Sequence, residues 1–112
     1  MNKILFYGMT GEKMCFQHIL LNALDLVADD KEVKIIFEGA SVKLIPAFEE
    51  ENNPLYMKAK KLGLIEGICL ACSKVMGIYD QNKETGLTML DDMKGHAGMK
   101  KLMNEGYYVI SM

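Results

Sequence analysis

Short apolar runs alternate along this chain with stretches in which apolar residues return every third or fourth position. Lys3 to Tyr7 is nearly all apolar and predicts a strand buried on both faces. Gly8 and Gly11 bracket a turn. From about Glu12 to Ala28, Phe16, Ile19, Leu20, Ala23, Leu24 and Val27 keep the spacing of a core-facing helix. His18, Asn22, Asp25 and Asp29 form its wet side. Val33 to Phe37 is a second strand, broken by Gly39. Ser41 then caps a short helical segment that should end before Pro46, because the residue preceding a proline avoids helical geometry. Glu49 to Asn53 reads as a solvated polar loop. Asn53 caps a helix with Pro54 at its first position, Leu55, Ala59 and Leu62 as its apolar stripe, and Gly63 past its end.

Ile65 to Leu70 is the third core strand, followed by a short helix ending at Gly77. From Tyr79 to Gly95 the pattern weakens to loop, with a strand assigned to Gly86 to Leu90. A last helix, His96 to Glu105, turns Met99, Leu102 and Met103 inward and stops at Gly106, and Tyr107 to Ser111 closes as a strand. Strands alternating with helices imply right-handed crossovers. The expectation is one α/β domain over residues 1–112: a three-layer sandwich whose mostly parallel sheet of four or five strands carries helices on both faces. Chemistry in such sheets gathers at the carboxyl ends of the strands, which singles out the connections Gly8 to Lys13 and Cys69 to Ser73.

The chain has 112 residues, so a single core buries about two thirds of the unfolded surface. A formal charge of −2 and scattered lysines argue against a grip on nucleic acid, which needs a basic patch. The apolar run Ile4 to Tyr7 is too short for a signal-peptide core, and nothing approaches a membrane span. Three cysteines, one isolated, do not read as a secreted disulfide scaffold, and a reducing cytoplasm is the expected compartment. Methionines at Met57, Met76, Met89 and Met93 lie in less regular segments and suit an interface between copies.

Cys69-Leu70-Ala71-Cys72 places two thiols at a strand end just before a helix, where unpaired N–H groups favour thiolate over thiol. Cys69 or Cys72 is expected to react with alkylating reagents at neutral pH well before Cys15, which lies on the flank of an interior helix turn. Cys15 and His18, three apart, could join Cys69 and Cys72 in a Cys₃His zinc set, but His18 faces the polar side. No bound metal or other cofactor is therefore expected. Gly8 to Lys13 lacks the Gly-Lys-Ser/Thr ending of a phosphate loop. His96 is a capping-region residue able to serve as a proton donor or acceptor near the thiols; Asp91-Asp92 and Glu49 to Glu51 read as solvated loop charge, and the acidic residues carry no case for catalysis.

The segment Cys69-Leu70-Ala71-Cys72-Ser73-Lys74-Val75-Met76-Gly77-Ile78 resembles the cysteine loop of the DsrE/DsrF-like proteins, in which a cysteine closes the third strand and a Gly-hydrophobic pair follows. The opening Ile4-Leu5-Phe6-Tyr7-Gly8 and the closing Glu105-Gly106-Tyr107-Tyr108-Val109-Ile110 match in kind. The resemblance implies a single DsrE/DsrF-like domain, a flavodoxin-like subunit that assembles into trimers or hexamers. In sulfur-relay members the cysteine matching Cys69 carries sulfur as a persulfide, received from and passed to partner proteins. Cys72 and Met76 depart from the family pattern, which has a non-cysteine in the tRNA-thiolation subunits and an arginine in many relatives. Proximity to the helix favours Cys72 as the leading thiolate, whereas the resemblance names Cys69; with Cys69 as acceptor, thiol–disulfide exchange makes the nearby Cys72 the resolving thiol. Three functions follow: a cytoplasmic sulfur carrier or sulfurtransferase, a CxxC dithiol redox protein, or a non-catalytic oligomeric binding or regulatory subunit.

Overall fold

A computed structural model describes residues 2–112. Five strands form one all-parallel sheet in the order β4-β3-β2-β1-β5: β1 (Lys3–Gly8), β2 (Glu32–Phe37), β3 (Ile65–Cys69), β4 (Met89–Leu90) and β5 (Tyr108–Ser111). The apolar runs are strands because parallel pairing buries both faces, and Leu5, Phe6, Ile35, Ile36 and Ile68 are fully enclosed. This is the expected α/β sandwich, with a fifth strand at the edge.

The connections set the layers. From β1 to β4 the chain steps along the sheet in one direction, through α1 (Lys13–Ala28), a 3-10 turn (Gly39–Lys43), α2 (Leu44–Glu50), α3 (Pro54–Lys61), α4 (Leu70–Val75) and α5 (Tyr79–Glu84). Right-handed crossovers put these helices on one face. Phe37 of β2 points there, with its ring stacked 4.3 Å from Phe16 of α1 and edge-on to Tyr56 of α3 at 6.3 Å. After β4 the chain crosses back to the far edge through α6 (Lys100–Asn104), which the same rule places on the opposite face. Ile36 and Leu102 accordingly line one cavity on that side. The direction of travel reverses between the β3 and β4 connections, so the crevice at the carboxyl ends of these two strands is a topological switch point.

Several local expectations change. Pro46 lies inside α2, as its third residue; a proline in the first turn removes an N–H that has no helical partner anyway. Glu49 belongs to α2 and not to a loop, and accepts hydrogen bonds from Tyr56 Oη at 2.6 Å and Lys60 Nζ at 2.8 Å. Residues 79–84 form a helix where loop was expected, anchored by buried Asn82, whose Nδ2 donates to Val42 O and Ser73 Oγ. The last helix begins at Lys100, leaving His96 in the preceding loop. Leu62 and Met103, expected inward, are exposed. Among the described residues no helix is long and apolar enough to cross a membrane.

Candidate functional site

Four strand ends converge on the switch point. Tyr7 is the penultimate residue of β1, Glu38 directly follows β2, Cys69 ends β3, and His96 comes from the loop after β4. Cys69 is also the N-cap of α4, and its Sγ accepts the Cys72 amide at 3.4 Å. One turn of helix thus brings the CxxC sulfurs to the same side.

His96 is delivered by a two-residue hairpin. Met93 and His96 exchange backbone hydrogen bonds of 2.8 and 2.9 Å around Lys94 and Gly95, both at positive φ (52° and 92°), the backbone that a tight primed turn requires. The Gly95 carbonyl accepts the Ala71 amide at 2.9 Å, which ties the hairpin to the first turn of α4 and satisfies one of its free N–H groups. His96 Nδ1 then stands 3.3 Å from Cys69 Sγ, 3.5 Å from Cys72 Sγ and 3.6 Å from Glu38 Oε1. Its side chain is 43% exposed and is the outer wall of the site.

Glu38 is buried beneath them. Its Oε1 accepts from the Gly39 amide at 2.9 Å and the Cys72 thiol at 2.8 Å; Oε2 accepts from the Ala97 amide at 3.1 Å. Tyr7 Oη donates to the Ala97 carbonyl at 2.6 Å and lies 3.3 Å from Oε2. Burial by itself opposes ionisation, yet these donors together hold the carboxyl below its ordinary range, so it is an anion at neutral pH. The anion acts on its neighbours. Burial and the Glu38 charge keep Tyr7 protonated. Burial, then the hydrogen bond to Glu38, push the Cys72 thiol up to about 12. Burial also raises Cys69, but the N–H groups of Cys72 and Ala97 counteract it.

The site therefore unites Cys69, Cys72 and His96 from the sequence reading and adds Glu38 and Tyr7. The sequence makes no case for chemistry at any acidic residue; Glu38, buried against the thiols, departs from that expectation, and its position at a strand's carboxyl end is the available signal. The junction does not lower the thiols as expected, because enclosure and a neighbouring carboxylate outweigh the amides. Nor does proximity to the helix favour Cys72: it is Cys69, as the cap, that collects the amide. Cys15 and His18 are exposed on α1 and take no part, which removes the Cys₃His zinc set. In the Gly8 to Lys13 connection the amides of Met9 and Thr10 both donate to the Met112 carbonyl, so they are not free to cradle a phosphate.

No family model matches the chain, and no solved structure matches it at a significant level. Over 95 residues the chain is 33% identical to the uncharacterized protein MJ0733 of Methanocaldococcus jannaschii, an alignment that covers 85% of this chain and 78% of that protein.

Proposed function

The chain belongs to the family of the Methanocaldococcus jannaschii protein MJ0733, and from the geometry of its own site we propose that it is a small sulfur carrier with Cys69 as persulfide acceptor. The supporting observation is the asymmetry of the dithiol. His96 Nδ1 stands near both sulfurs, at 3.3 Å from Cys69 Sγ and 3.5 Å from Cys72 Sγ, but Cys69 Sγ also accepts a helix amide at 3.4 Å, whereas the Cys72 thiol is held on a carboxylate at 2.8 Å. One sulfur is placed to lose its proton, the other to keep it until needed. The likeness of residues 69–78 to the cysteine loop of DsrE/DsrF-like proteins supports the same assignment.

His96 Nδ1 takes the Cys69 proton, and the imidazolium is stabilised by the Glu38 carboxylate beside it. The thiolate attacks the outer sulfur of a donor persulfide, R–S–SH. The new Cys69 S–S bond forms as the donor's S–S bond breaks, and R–S⁻ leaves with the His96 proton as R–SH. An acceptor thiolate then removes the outer sulfur in the reverse sense. Where no acceptor arrives, His96 Nδ1, which has given its proton to R–SH and stands 3.5 Å from Cys72 Sγ, takes the Cys72 proton, Cys72 attacks Cys69 Sγ, and hydrosulfide leaves as the intramolecular disulfide forms. Cys69 is fully buried, so a partner's sulfur enters beside half-exposed His96. Met9, Met93 and Met112, each 45–49% exposed at the same end of the sheet, are adaptable docking material for a donor or acceptor protein.

Mass spectrometry of the metal-free, reduced protein after exposure to a low-molecular-weight persulfide tests this. The Cys72→Ser variant should accumulate an adduct of about 32 Da on Cys69. Cys69→Ser should carry none. Wild type should proceed to the disulfide with release of sulfide. A Cys72→Ser protein that never gains the adduct ends the carrier reading. Loss of two hydrogens with a thiol oxidant, and no sulfur adduct, would instead identify a dithiol redox protein.

A further inference from the structure

We infer that Glu38, Cys69, Cys72 and His96 form a four-ligand zinc site in the reduced protein. One donor atom from each lies within 4.8 Å of the other three. Four of the pairwise separations are 2.8 Å (Cys72 Sγ to Glu38 Oε1), 3.3 Å (Cys69 Sγ to His96 Nδ1), 3.5 Å (Cys72 Sγ to His96 Nδ1) and 3.6 Å (Glu38 Oε1 to His96 Nδ1). Ligands ~2.0–2.3 Å from a tetrahedral zinc ion stand roughly 3.3–3.8 Å from one another. Three of the four separations already fall in that interval. The fourth is shorter because a thiol proton is shared there, and zinc would replace that proton.

Hydrogen bonding alone leaves the cluster poorly explained. His96 Nδ1 faces two sulfurs and a carboxylate oxygen at once, yet a ring nitrogen has either one lone pair or one N–H. It can satisfy one of those partners. A cation at the centre satisfies all four groups. The donor set, two thiolates with one imidazole and one carboxylate, suits borderline-soft zinc and not the hard cations magnesium or calcium. Support around the ligands is in place. Glu38 Oε2 is held by the Ala97 amide, Cys69 Sγ by the Cys72 amide, and the His96 hairpin by the bond from Ala71 N to Gly95 O. Four protein ligands leave no open position for a reacting water, so zinc here is not hydrolytic. It would occupy both sulfurs, making the zinc-loaded and persulfide-loaded forms mutually exclusive.

The site goes beyond the sulfur-carrier reading, since it needs only the ligand geometry. Metal-free, reduced wild-type protein titrated with zinc chloride against a chromophoric chelator should bind about one ion per chain and release about two protons. Cobalt(II) in its place should give tetrahedral ligand-field bands with thiolate-to-cobalt charge transfer. Cys69→Ser, Cys72→Ser and His96→Ala should each weaken binding by about 10–100-fold or more, and Cys15→Ser should leave it unchanged. The inference is overturned if folded wild type binds no zinc at micromolar concentration, if the cobalt spectrum lacks charge transfer, or if Cys15→Ser abolishes binding. The wild-type spectrum decides the matter even where a variant fails to fold. Zinc uptake without any persulfide would remove the carrier and keep the site; persulfide without zinc uptake would do the reverse.

Discussion

Glu38 governs three side chains through one carboxylate. It is 5% exposed, an anion, and in contact with Cys72 while lying close to Tyr7 and His96. A thiol pushed to about 12, first by burial and then by that carboxylate, is almost wholly protonated at neutral pH and slow to alkylate. Cys15, by contrast, is exposed on α1. Iodoacetamide at pH 7 should therefore label Cys15 first in the metal-free protein, with Cys72 and buried Cys69 lagging, the reverse of the order expected from the sequence. Glu38→Gln removes the charge next to Cys72 and should speed its labelling by about tenfold for each pKa unit recovered. Peptide-resolved labelling rates provide the check, and an unchanged Cys72 rate would show that the carboxylate is not what holds the proton.

At the scale of elements, the site depends on where β4 lies, because the His96 hairpin hangs from it. β4 is only two residues long and packs directly on a glycine of β3. A Cβ at Gly67 would stand 2.5 Å from the Thr88 carbonyl oxygen and 2.6 Å from Leu90 Cγ. Thr88 is the acceptor for the Ile68 amide at 2.8 Å, so the intruding atom meets backbone that cannot swing aside. Gly67→Ala should cost about 1–3 kcal/mol in urea unfolding and shift the hairpin enough to blunt the cobalt charge-transfer band. Wild-type stability with an unaltered spectrum would mean that β4 does not position His96. The α2–α3 pair offers a pH test. Burial disfavours the Glu49 anion, but the hydrogen bonds from Lys60 and Tyr56 outweigh it and lower its pKa in the folded state. Its stabilising contribution is then complete above its unfolded value of about 4.3 and is lost as pH falls through the lower folded value. Glu49→Gln should destabilise the protein at pH 7, by an amount that shrinks steadily below about pH 4. A pH-independent difference in chemical denaturation would assign the effect to packing.

For the whole molecule the open question is what covers its edges. β5 is an edge strand with Tyr108 exposed, and Met9, Met76, Met93 and Met112 lie on the surface, while Met57 and Met89 pack against the core. A small α/β chain gains stability by covering such groups, and closed cyclic symmetry is the usual means. We propose a homo-oligomer, a trimer or a dimer of trimers, with the site near a subunit boundary. Light scattering at micromolar concentration should return a multiple of the chain mass; a monomer mass would remove the assembly and one support of the DsrE/DsrF-like reading.

Apolar periodicity alone determined most of the architecture. The run Lys3 to Tyr7, the stripe Phe16, Ile19, Leu20 and Ala23, and the Asn53-Pro54 start of α3 are local signals read over a few residues, and each became the element expected. The CxxC and its place at a strand end were likewise visible. What the chain could not show was its electrostatics. Glu38 and Cys72 are 34 positions apart and Cys69 and His96 are 27 apart, yet each pair is in contact because parallel strands gather their carboxyl ends at one edge. A thiol's reactivity depends on that distant carboxylate and on enclosure, neither of which leaves a mark in the neighbouring residues. The helix boundary near His96 shifted for a related reason, since the hairpin tied to α4 holds this residue ahead of α6; Pro46, by contrast, is accommodated locally in the first turn of α2.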